Sequence, residues 1–215
     1  MGQTLTRGRF ITLEGGEGAG KSTQAGLLID ALRRAGLRAI RTREPGGAPG
    51  AEEIRKLLVE GLPGRWDAEA EALLMVAARR VHLVETIWPA LERGDWVVSD
   101  RFADSTLAYQ GYGRGLPQEA LRMLHRLIAG DFAPDLSLIL DLPVETGLSR
   151  AATRPGAETR FERMDPEFHQ RLRQGFLEIA RAEPRRCVLI DATGDVATVQ
   201  AAIRAAVHER LGIAV

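Results

Sequence analysis

The sequence has a single cysteine, no net charge and no long apolar segment. One cysteine excludes an internal disulfide, and the position of Cys187 in an apolar run predicts a buried, unreactive thiol. No apolar run is long enough to span a bilayer. A formal net charge of +0 gives no overall attraction to nucleic acid or to an acidic membrane. We therefore expect a cytoplasmic protein that binds neither nucleic acid nor a membrane.

Short apolar runs alternate with amphipathic segments along the 215 residues. The runs have the length and composition of strands that are covered on both faces, and they are Phe10–Glu14, Ala39–Thr42, Trp96–Ser99, Leu136–Leu140 and Val188–Asp191. The segments between them have apolar residues at helical spacing, which is typical of crossover helices. The pattern predicts one α/β domain over residues 1–215. It has a five-stranded parallel sheet, helices on both faces, and ligands at the carboxyl ends of the strands.

A glycine-rich segment follows the first predicted strand. Gly15, Gly20, Lys21 and Ser22 form the pattern G-x-x-x-x-G-K-[ST] between an apolar strand and an amphipathic helix, the context that a phosphate-binding loop requires. Loop amides would surround the phosphates, Lys21 would reach the outer phosphates, and the Ser22 hydroxyl would bind magnesium. The predicted nucleoside triphosphate site consists of Gly15, Gly16, Glu17, Gly18, Ala19, Gly20, Lys21, Ser22 and Thr23.

Charged residues follow two other strands. Asp100 ends the apolar run Trp96–Ser99, where its carboxylate could hold magnesium or its waters, although aspartate at this point also suits a helix cap. The next residue, Arg101, could clamp a second phosphate. Arg43 lies at the carboxyl end of the second strand. These placements predict an anionic co-substrate beside the triphosphate.

Two further features concern arginines. Arg80 shares a helix face with the apolar residues Leu73 and Val76, so it either extends its guanidinium to water or donates to a buried acceptor. A polar segment at about residues 150–165, with a Pro-Gly pair, predicts a short mobile lid. Because the phosphate loop contains no arginine, the lid would supply the cation for phosphoryl transfer. Its candidates are Arg150, Arg154, Arg160 and Arg163.

Several longer segments, taken together, identify a family. They are EGGEGAGKST at 14–23, TREPGG at 42–47, DRFADSTLAYQG at 100–111, GRG at 113–115 and DFAPDLSLILDLP at 131–143. In these segments, which span nearly the whole chain in order, the sequence resembles the bacterial kind of thymidylate kinase. The resemblance implies a P-loop kinase fold, transfer of the ATP γ-phosphate to dTMP with Mg²⁺, and a homodimer packed through core helices.

The resemblance also implies roles for individual residues. Catalysis would involve Lys21, Asp100, Arg101, Arg154 and Arg160, and magnesium would be held by Ser22 and Asp100. The dTMP site would consist of Glu17, Arg43, Glu44, Arg55, Val76, Arg80, Arg101, Ser105, Thr106, Tyr109 and Gln110. Within that set, Arg80 and Gln110 would face thymine. Glu17 would contact the sugar 3′-hydroxyl, which explains a carboxylate in a phosphate loop if the loop has one face for each substrate.

The sequence departs from the family pattern at the base site. Family members commonly place a phenylalanine one helical turn before the base-reading arginine, where this chain has Val76. Either an aliphatic platform replaces the ring, or another ring supplies the stack. The candidate rings are Tyr109, Tyr112 and Phe102. His82, two residues after Arg80, is expected at the surface.

Three other functions fit the sequence less well. A kinase for another pyrimidine monophosphate or for a deoxynucleoside fits TREPGG and DRFADSTLAYQG less well. A GTP-dependent switch would need N-K-x-D, which the sequence lacks, and its D-x-x-G at Asp191–Gly194 comes too late in the chain. A nucleic-acid-dependent ATPase is disfavoured by the neutral charge and the small size.

Overall fold

The computed structural model describes residues 7–62, 64–153 and 159–215. In this part of the chain, five strands form one sheet in the order β2-β3-β1-β4-β5, and every neighbouring pair is parallel. The strands are β1 Phe10–Glu14, β2 Ala39–Arg43, β3 Trp96–Asp100, β4 Leu136–Asp141 and β5 Cys187–Asp191. The predicted sheet is confirmed, and each predicted strand agrees within one residue at either end.

Helices connect the strands. They are α1 Lys21–Arg34, α2 Pro49–Val59, α3 Ala68–His82, α4 Trp88–Glu92, α5 Ala103–Thr106, α6 Gln118–Ala129, α7 Val144–Ala152, α8 Thr159–Glu162, α9 Pro166–Ala182 and α10 Val196–Leu211. Two π-helical segments, Leu83–Ile87 and Leu107–Gly113, continue α3 and α5. None of the helices in the described ranges is both long enough and apolar enough to cross a membrane.

The central strand β1 divides the core into two layers. Ile11 and Leu13 pack with α1 and α10, whereas Phe10 packs on the opposite face with residues of α4. All five residues of β1 are buried, because a parallel strand between two helical layers has no solvent-facing side. Cys187 is also buried, and desolvation raises the pKa of its thiol to about 12, in agreement with the predicted unreactive cysteine.

The sheet order places the carboxyl ends of β1, β2 and β3 side by side. Asp100, the last residue of β3, lies opposite Leu13 of β1 and Arg43 of β2 in the strand register. The loop after β1 therefore meets the polar residues that end the two neighbouring strands. Helical connections leave β1 in one direction and β4 in the other, and the resulting crevice is the usual ligand site of such a sheet.

Helix α3 differs from its sequence pattern. Two apolar residues at helical spacing, Leu73 of α3 and Val84 of the π-helical segment that continues it, are exposed. Glu71, Arg79 and His82 are buried instead. These charged side chains turn inward because they meet polar partners there: Arg79 and His82 contact Glu44, just after β2, and Glu71 contacts Gln110.

Candidate active site

A cavity of about 520 Å³ opens at the carboxyl ends of β1, β2 and β3. Its size is that of a small-molecule site. Fifteen of the predicted site residues line it, namely Glu17, Gly18, Gly20, Lys21, Ser22, Thr23, Arg43, Glu44, Arg55, Asp100, Arg101, Ser105, Thr106, Tyr109 and Gln110. Gly15 and Gly16 line a smaller adjoining cavity together with Glu17, and Ala19 is buried in the core. The structure thus brings these segments to one place.

The phosphate loop wraps around the ammonium of Lys21. Nζ donates to the carbonyl oxygens of Gly15 at 3.2 Å and Gly16 at 2.7 Å. Burial and the nearby Arg101 guanidinium lower the pKa of Lys21 to about 8. Gly18 has a φ of 67°, and a Cβ there would lie 1.9 Å from the carbonyl oxygen of Gly147, so only glycine fits the turn. The loop is therefore closed around its lysine.

Ser22 and Asp100 form a hydrogen bond at the mouth of the loop, with Ser22 Oγ donating to Asp100 Oδ2. A hydroxyl and a carboxylate are oxygen ligands of the kind that Mg²⁺ prefers. The described residues contain no group of three or more His, Cys, Asp or Glu side chains that could hold a metal ion. Magnesium at this pair would therefore take its remaining oxygens from nucleotide phosphates and water, which is the usual arrangement.

Glu17 is an anion held between two donors. Its Oε1 accepts hydrogen bonds from the Tyr109 hydroxyl and from Arg101 Nη2, the latter at 3.1 Å. Burial alone would raise the pKa of the Glu17 carboxyl, but Arg101, Lys21 and Tyr109 lower it to about 2. The Glu17 side chain lines the large cavity, while the loop carbonyls of Gly15 and Gly16 accept hydrogen bonds from Lys21. The two faces of the loop are thus chemically different.

Arg101 is fixed by its backbone as well as its side chain. Among the described residues it is the one non-glycine with a positive φ, at 74°, a conformation that costs about 1–3 kcal/mol. Nη1 donates to the Gly15 carbonyl at 2.9 Å and to Ser105 Oγ at 3.2 Å, and the guanidinium lies 4.8 Å from the Tyr109 ring centre. These contacts offset the strain and hold the cation against the cavity.

The arginine of α3 that reaches the cavity is Arg79. Its Nε donates to Glu44 Oε2 at 2.7 Å, and its Nη2 donates to the Phe102 carbonyl at 3.1 Å and to Thr106 Oγ1 at 2.8 Å. The side chain is 3% exposed and lines the cavity. The Arg79–Glu44 ion pair joins α3 to the end of β2.

The prediction that Arg80 lies at the cavity is wrong. Arg80 is exposed, donates from Nη1 to the Ile128 carbonyl at 2.8 Å and lies over the Trp88 ring. Consecutive residues of a helix point about 100° apart, so only one of the two arginines can face the cavity. The partner of Arg79 is Glu44, which follows strand β2 and is buried, and a buried carboxylate requires a cationic partner.

The base-platform prediction is shifted by one residue in the same way. Val76 is buried but does not line the cavity, whereas Met75, one helical turn before Arg79, does. Of the candidate stacking rings, Phe102 and Tyr109 line the cavity and Tyr112 does not. A flexible thioether therefore lies where Val76 was expected, and sequence reasoning missed it.

His82 is fully buried, so the prediction of a surface residue is wrong. Its Nδ1 lies 3.0 Å from Glu44 Oε1, and its Nε2 lies 2.6 Å from Thr42 Oγ1. Burial acts to raise the pKa of Glu44, but Arg79 and His82 hold it below its ordinary value. His82 and Arg79 therefore hold Glu44 ionised from opposite sides, although Glu44 is buried.

The arginines predicted in the lid have different surroundings in the structure. Arg150 lines the cavity and donates from Nη1 to the Ala192 carbonyl at 3.2 Å. Arg154 lies outside the described residues. Arg160 is 2% exposed, donates to the Leu58 carbonyl at 2.6 Å and forms an ion pair with Glu71. Because these contacts hold it away from the cavity wall, the prediction that Arg160 contacts the transferred phosphate does not agree with this structure.

Comparisons with known proteins place the chain in a family. A family model described as Thymidylate kinase matches residues 13–203. The chain is 54% identical over 212 residues to a thymidylate kinase from Nitrobacter hamburgensis, covering 98% of this chain and 92% of that protein. It is 55% identical over 209 residues to a thymidylate kinase from Caulobacter vibrioides, covering 97% and 100%.

A solved structure agrees with the sequence relatives. The crystal structure of thymidylate kinase from Ehrlichia chaffeensis is similar with a TM-score of 0.77 and 34% sequence identity, and the match covers 94% of this chain and 99% of that one. The P-loop kinase fold, the cavity and the full-length relatives agree. The chain belongs to the thymidylate kinase family.

Proposed function

We propose that this enzyme transfers the γ-phosphate of ATP to dTMP, giving dTDP, with ATP at the phosphate loop and dTMP in the 520 Å³ cavity. The observation that carries the proposal is one continuous cavity lined by Lys21, Glu17, Arg101, Arg79 and Gln110. Incubation with Mg-ATP and each nucleoside monophosphate, followed by separation of the products, tests it. We expect dTMP to be the preferred acceptor, and dAMP or dGMP turnover comparable to that of dTMP would reject it.

The acceptor phosphate is assigned to three arginines. Arg43, Arg55 and Arg101 come from β2, α2 and the turn after β3, and all three line the cavity near the phosphate loop. Guanidiniums bind phosphate oxygens bidentately and fix their direction. Phosphoryl transfer depends on positioning and charge stabilisation more than on covalent chemistry, so this arrangement suffices for the acceptor.

The ATP side of the site combines the phosphate loop, the residues that would hold magnesium, and the lid. Lys21 and the loop amides would hold the ATP phosphates. Magnesium held by Ser22 and Asp100 would neutralise negative charge on those phosphates. Arg150, which lines the cavity, and Arg154 are the lid residues that we assign to the transferred phosphate. We propose that the 215 residues form a single domain with a short lid, and that the enzyme is located in the cytoplasm.

The base is assigned to Arg79 and Gln110. Arg79 only donates, and its hydrogen bonds to the described residues use Nε and Nη2, so we assign Nη1 to a ligand acceptor. Thymine has an acceptor at O4, where cytosine has an amino donor. Met75 and Phe102 provide apolar surface beside these groups. The pair therefore selects a thymine-like edge.

Glu17→Ala tests the assignment of the sugar 3′-hydroxyl. If the carboxylate accepts from that hydroxyl, the change removes a hydrogen bond to a charged group, worth about 1.5–3 kcal/mol. We expect kcat/KM for dTMP to fall roughly ten- to a hundredfold, with KM for ATP little changed. Steady-state kinetics with each substrate varied in turn measures both.

A 3′-deoxy analogue of dTMP provides the matching half of a double-mutant cycle. It should be a poor substrate of the native enzyme, and Glu17→Ala should add little further loss with it. If the two losses multiply instead, Glu17 and the 3′-hydroxyl do not interact. In that case the Glu17 carboxylate serves only to hold Arg101 and Tyr109.

A homodimer is the proposed assembly. Exposed apolar side chains lie on α3, on the π-helical segment that continues it, and on α6, which packs against α3. We call this surface the α3–α6 face. It includes Leu73, Ala77, Val84, Met123 and Leu127. An exposed apolar surface of this kind is typical of a subunit interface. A second copy packed through the same helices would bury it on both protomers.

Leu127→Glu tests the dimer, because Leu127 is 81% exposed and a charge there would be buried at the interface. We expect sedimentation to shift from dimer to monomer at micromolar concentration. Val196→Glu is the matched control, since Val196 is also an exposed apolar residue but lies at the start of α10. Equal association of both variants and the native protein would contradict an interface at the α3–α6 face.

A further inference from the structure

A buried carboxylate lies behind the base end of the cavity. Glu71 of α3 has no exposed surface. Its Oε1 accepts a hydrogen bond from Gln110 Nε2 at 2.8 Å. Its Oε2 accepts from Arg114 Nη1 at 3.0 Å and from Arg160 Nη2. Glu71 thus has one oxygen for two cations and the other for one amide.

Gln110 connects this cluster to the cavity. Its side chain is fully buried and belongs to the cavity wall. The amide nitrogen is used by Glu71, while the amide oxygen has no hydrogen-bond partner among the described residues. An unpaired buried acceptor is costly unless a ligand supplies a donor. The structure therefore leaves an acceptor for a ligand at Gln110.

The direction of the Gln110 amide follows from the charge of Glu71. A carboxylate that is ion-paired with Arg114 and Arg160 accepts hydrogen bonds and cannot donate them. Turning the Gln110 amide over would set its oxygen against a carboxylate oxygen in a buried site, where unpaired acceptors are costly. Glu71 thereby fixes the end of the amide that is left for the ligand.

We propose that Glu71 is a positioning residue that sets pyrimidine specificity, by holding Gln110 so that its amide oxygen alone meets the base. The inference rests on the proposed dTMP site and deepens it. Thymine has a donor at N3, which matches that oxygen, whereas cytosine has an acceptor at N3, which does not. Arg79 and Gln110 thus contact adjacent atoms of the base. Only the Gln110 contact can change from acceptor to donor, because its amide group can turn over.

Glu71→Gln tests the proposal because it keeps the shape and changes the pattern of donors. The oxygen of the introduced amide would be held by Arg114 and Arg160, which leaves its NH₂ facing Gln110. The Gln110 amide then turns over to accept, and it presents its own NH₂ to the base. We expect the ratio of kcat/KM for dTMP to that for dCMP to fall roughly ten- to a hundredfold. Equilibrium binding of dTMP and dCMP without ATP should shift in the same direction.

Arg114→Leu is the matched control, because it removes one of the two cations at Glu71 Oε2 and leaves the hydrogen bond between Glu71 Oε1 and Gln110. It should lower stability without changing the ratio. If Glu71→Gln does not fold, the ratio is measured in Glu71→Gln combined with Arg114→Leu, which removes a cation together with the carboxylate. An unchanged ratio in the folded variant, or the same change in Arg114→Leu, would overturn the proposal. Native turnover of dTMP tests the proposed function separately.

Discussion

Replacing Lys21 with Met is expected to lower kcat roughly 10³-fold, the size of effect seen when a preorganised cation or donor is removed from a transferring group. Methionine keeps an unbranched side chain of similar length, so the change removes mainly the charge. That charge is held in place by the carbonyls of Gly15 and Gly16. Binding of dTMP should change little, because its assigned arginines remain. Single-turnover kinetics and dTMP titration separate the two effects.

The chain offers a close control for this prediction. Lys56 is the only other lysine in the sequence and lies exposed on α2. Lys56→Met makes the same chemical change away from the phosphate loop and should leave kcat within a small factor of the native value. A Lys21→Met enzyme that retained more than a tenth of the native kcat would show that the loop amides and the metal are sufficient.

Arg79→Met is expected to lower the free energy of unfolding by about 3–5 kcal/mol and to reduce the preference for dTMP over dCMP. The stability loss arises because Glu44, 6% exposed, would keep its charge without its main cationic partner. The loss of preference arises because the assigned donor to thymine O4 is removed. Urea unfolding measures the first effect, and kcat/KM with both substrates measures the second.

A second variant separates the two effects. In Arg79→Met combined with Glu44→Leu, both charges of the ion pair are removed, so much of the lost stability should return while base preference stays low. Continued instability of the double variant, equal to that of Arg79→Met, would show that the buried charge of Glu44 is not the cause.

The ion pair between Arg79 and Glu44 also predicts how the stability of the protein depends on pH. The pKa of Glu44 is lower in the folded protein than its ordinary value, so the native state gains stability above the ordinary carboxyl pKa and loses it as pH falls toward the folded pKa. The double variant, which has no carboxyl at position 44, should lose that part of the acid dependence. An unchanged slope of unfolding free energy with pH between native and double variant would contradict this.

Local patterns in the sequence predicted the sheet and the phosphate loop. Strand β1 is buried on both faces, and its apolar residues Phe10, Ile11 and Leu13 can be recognised without any knowledge of its neighbours. The loop from Gly15 to Ser22 depends on a strand, a glycine turn and a helix that follow one another in the chain. Both features arise from residues close in sequence, and both were predicted correctly.

The face of α3 could not be predicted in this way. Leu73 of α3 and Val84 of the π-helical segment after it form an apolar stripe at helical spacing, which by itself would predict a core face, yet both are exposed and Glu71 is buried. Whether a charged face turns inward depends on the partners it finds there. For Glu71 those partners are Gln110, Arg114 and Arg160, which are 39 to 89 residues away in the chain.

By itself the sequence determined the α/β sheet, the phosphate loop and the residue types of the site, because each depends on composition and spacing within a short segment. Only the tertiary structure decided that Arg79 rather than Arg80 reaches the cavity and that Met75 rather than Val76 lies beside it. It also decided that Arg160 pairs with Glu71. The physical reason is that a buried charge must meet an opposite charge, and the sheet order brings Glu44 to α3 from a distant part of the chain.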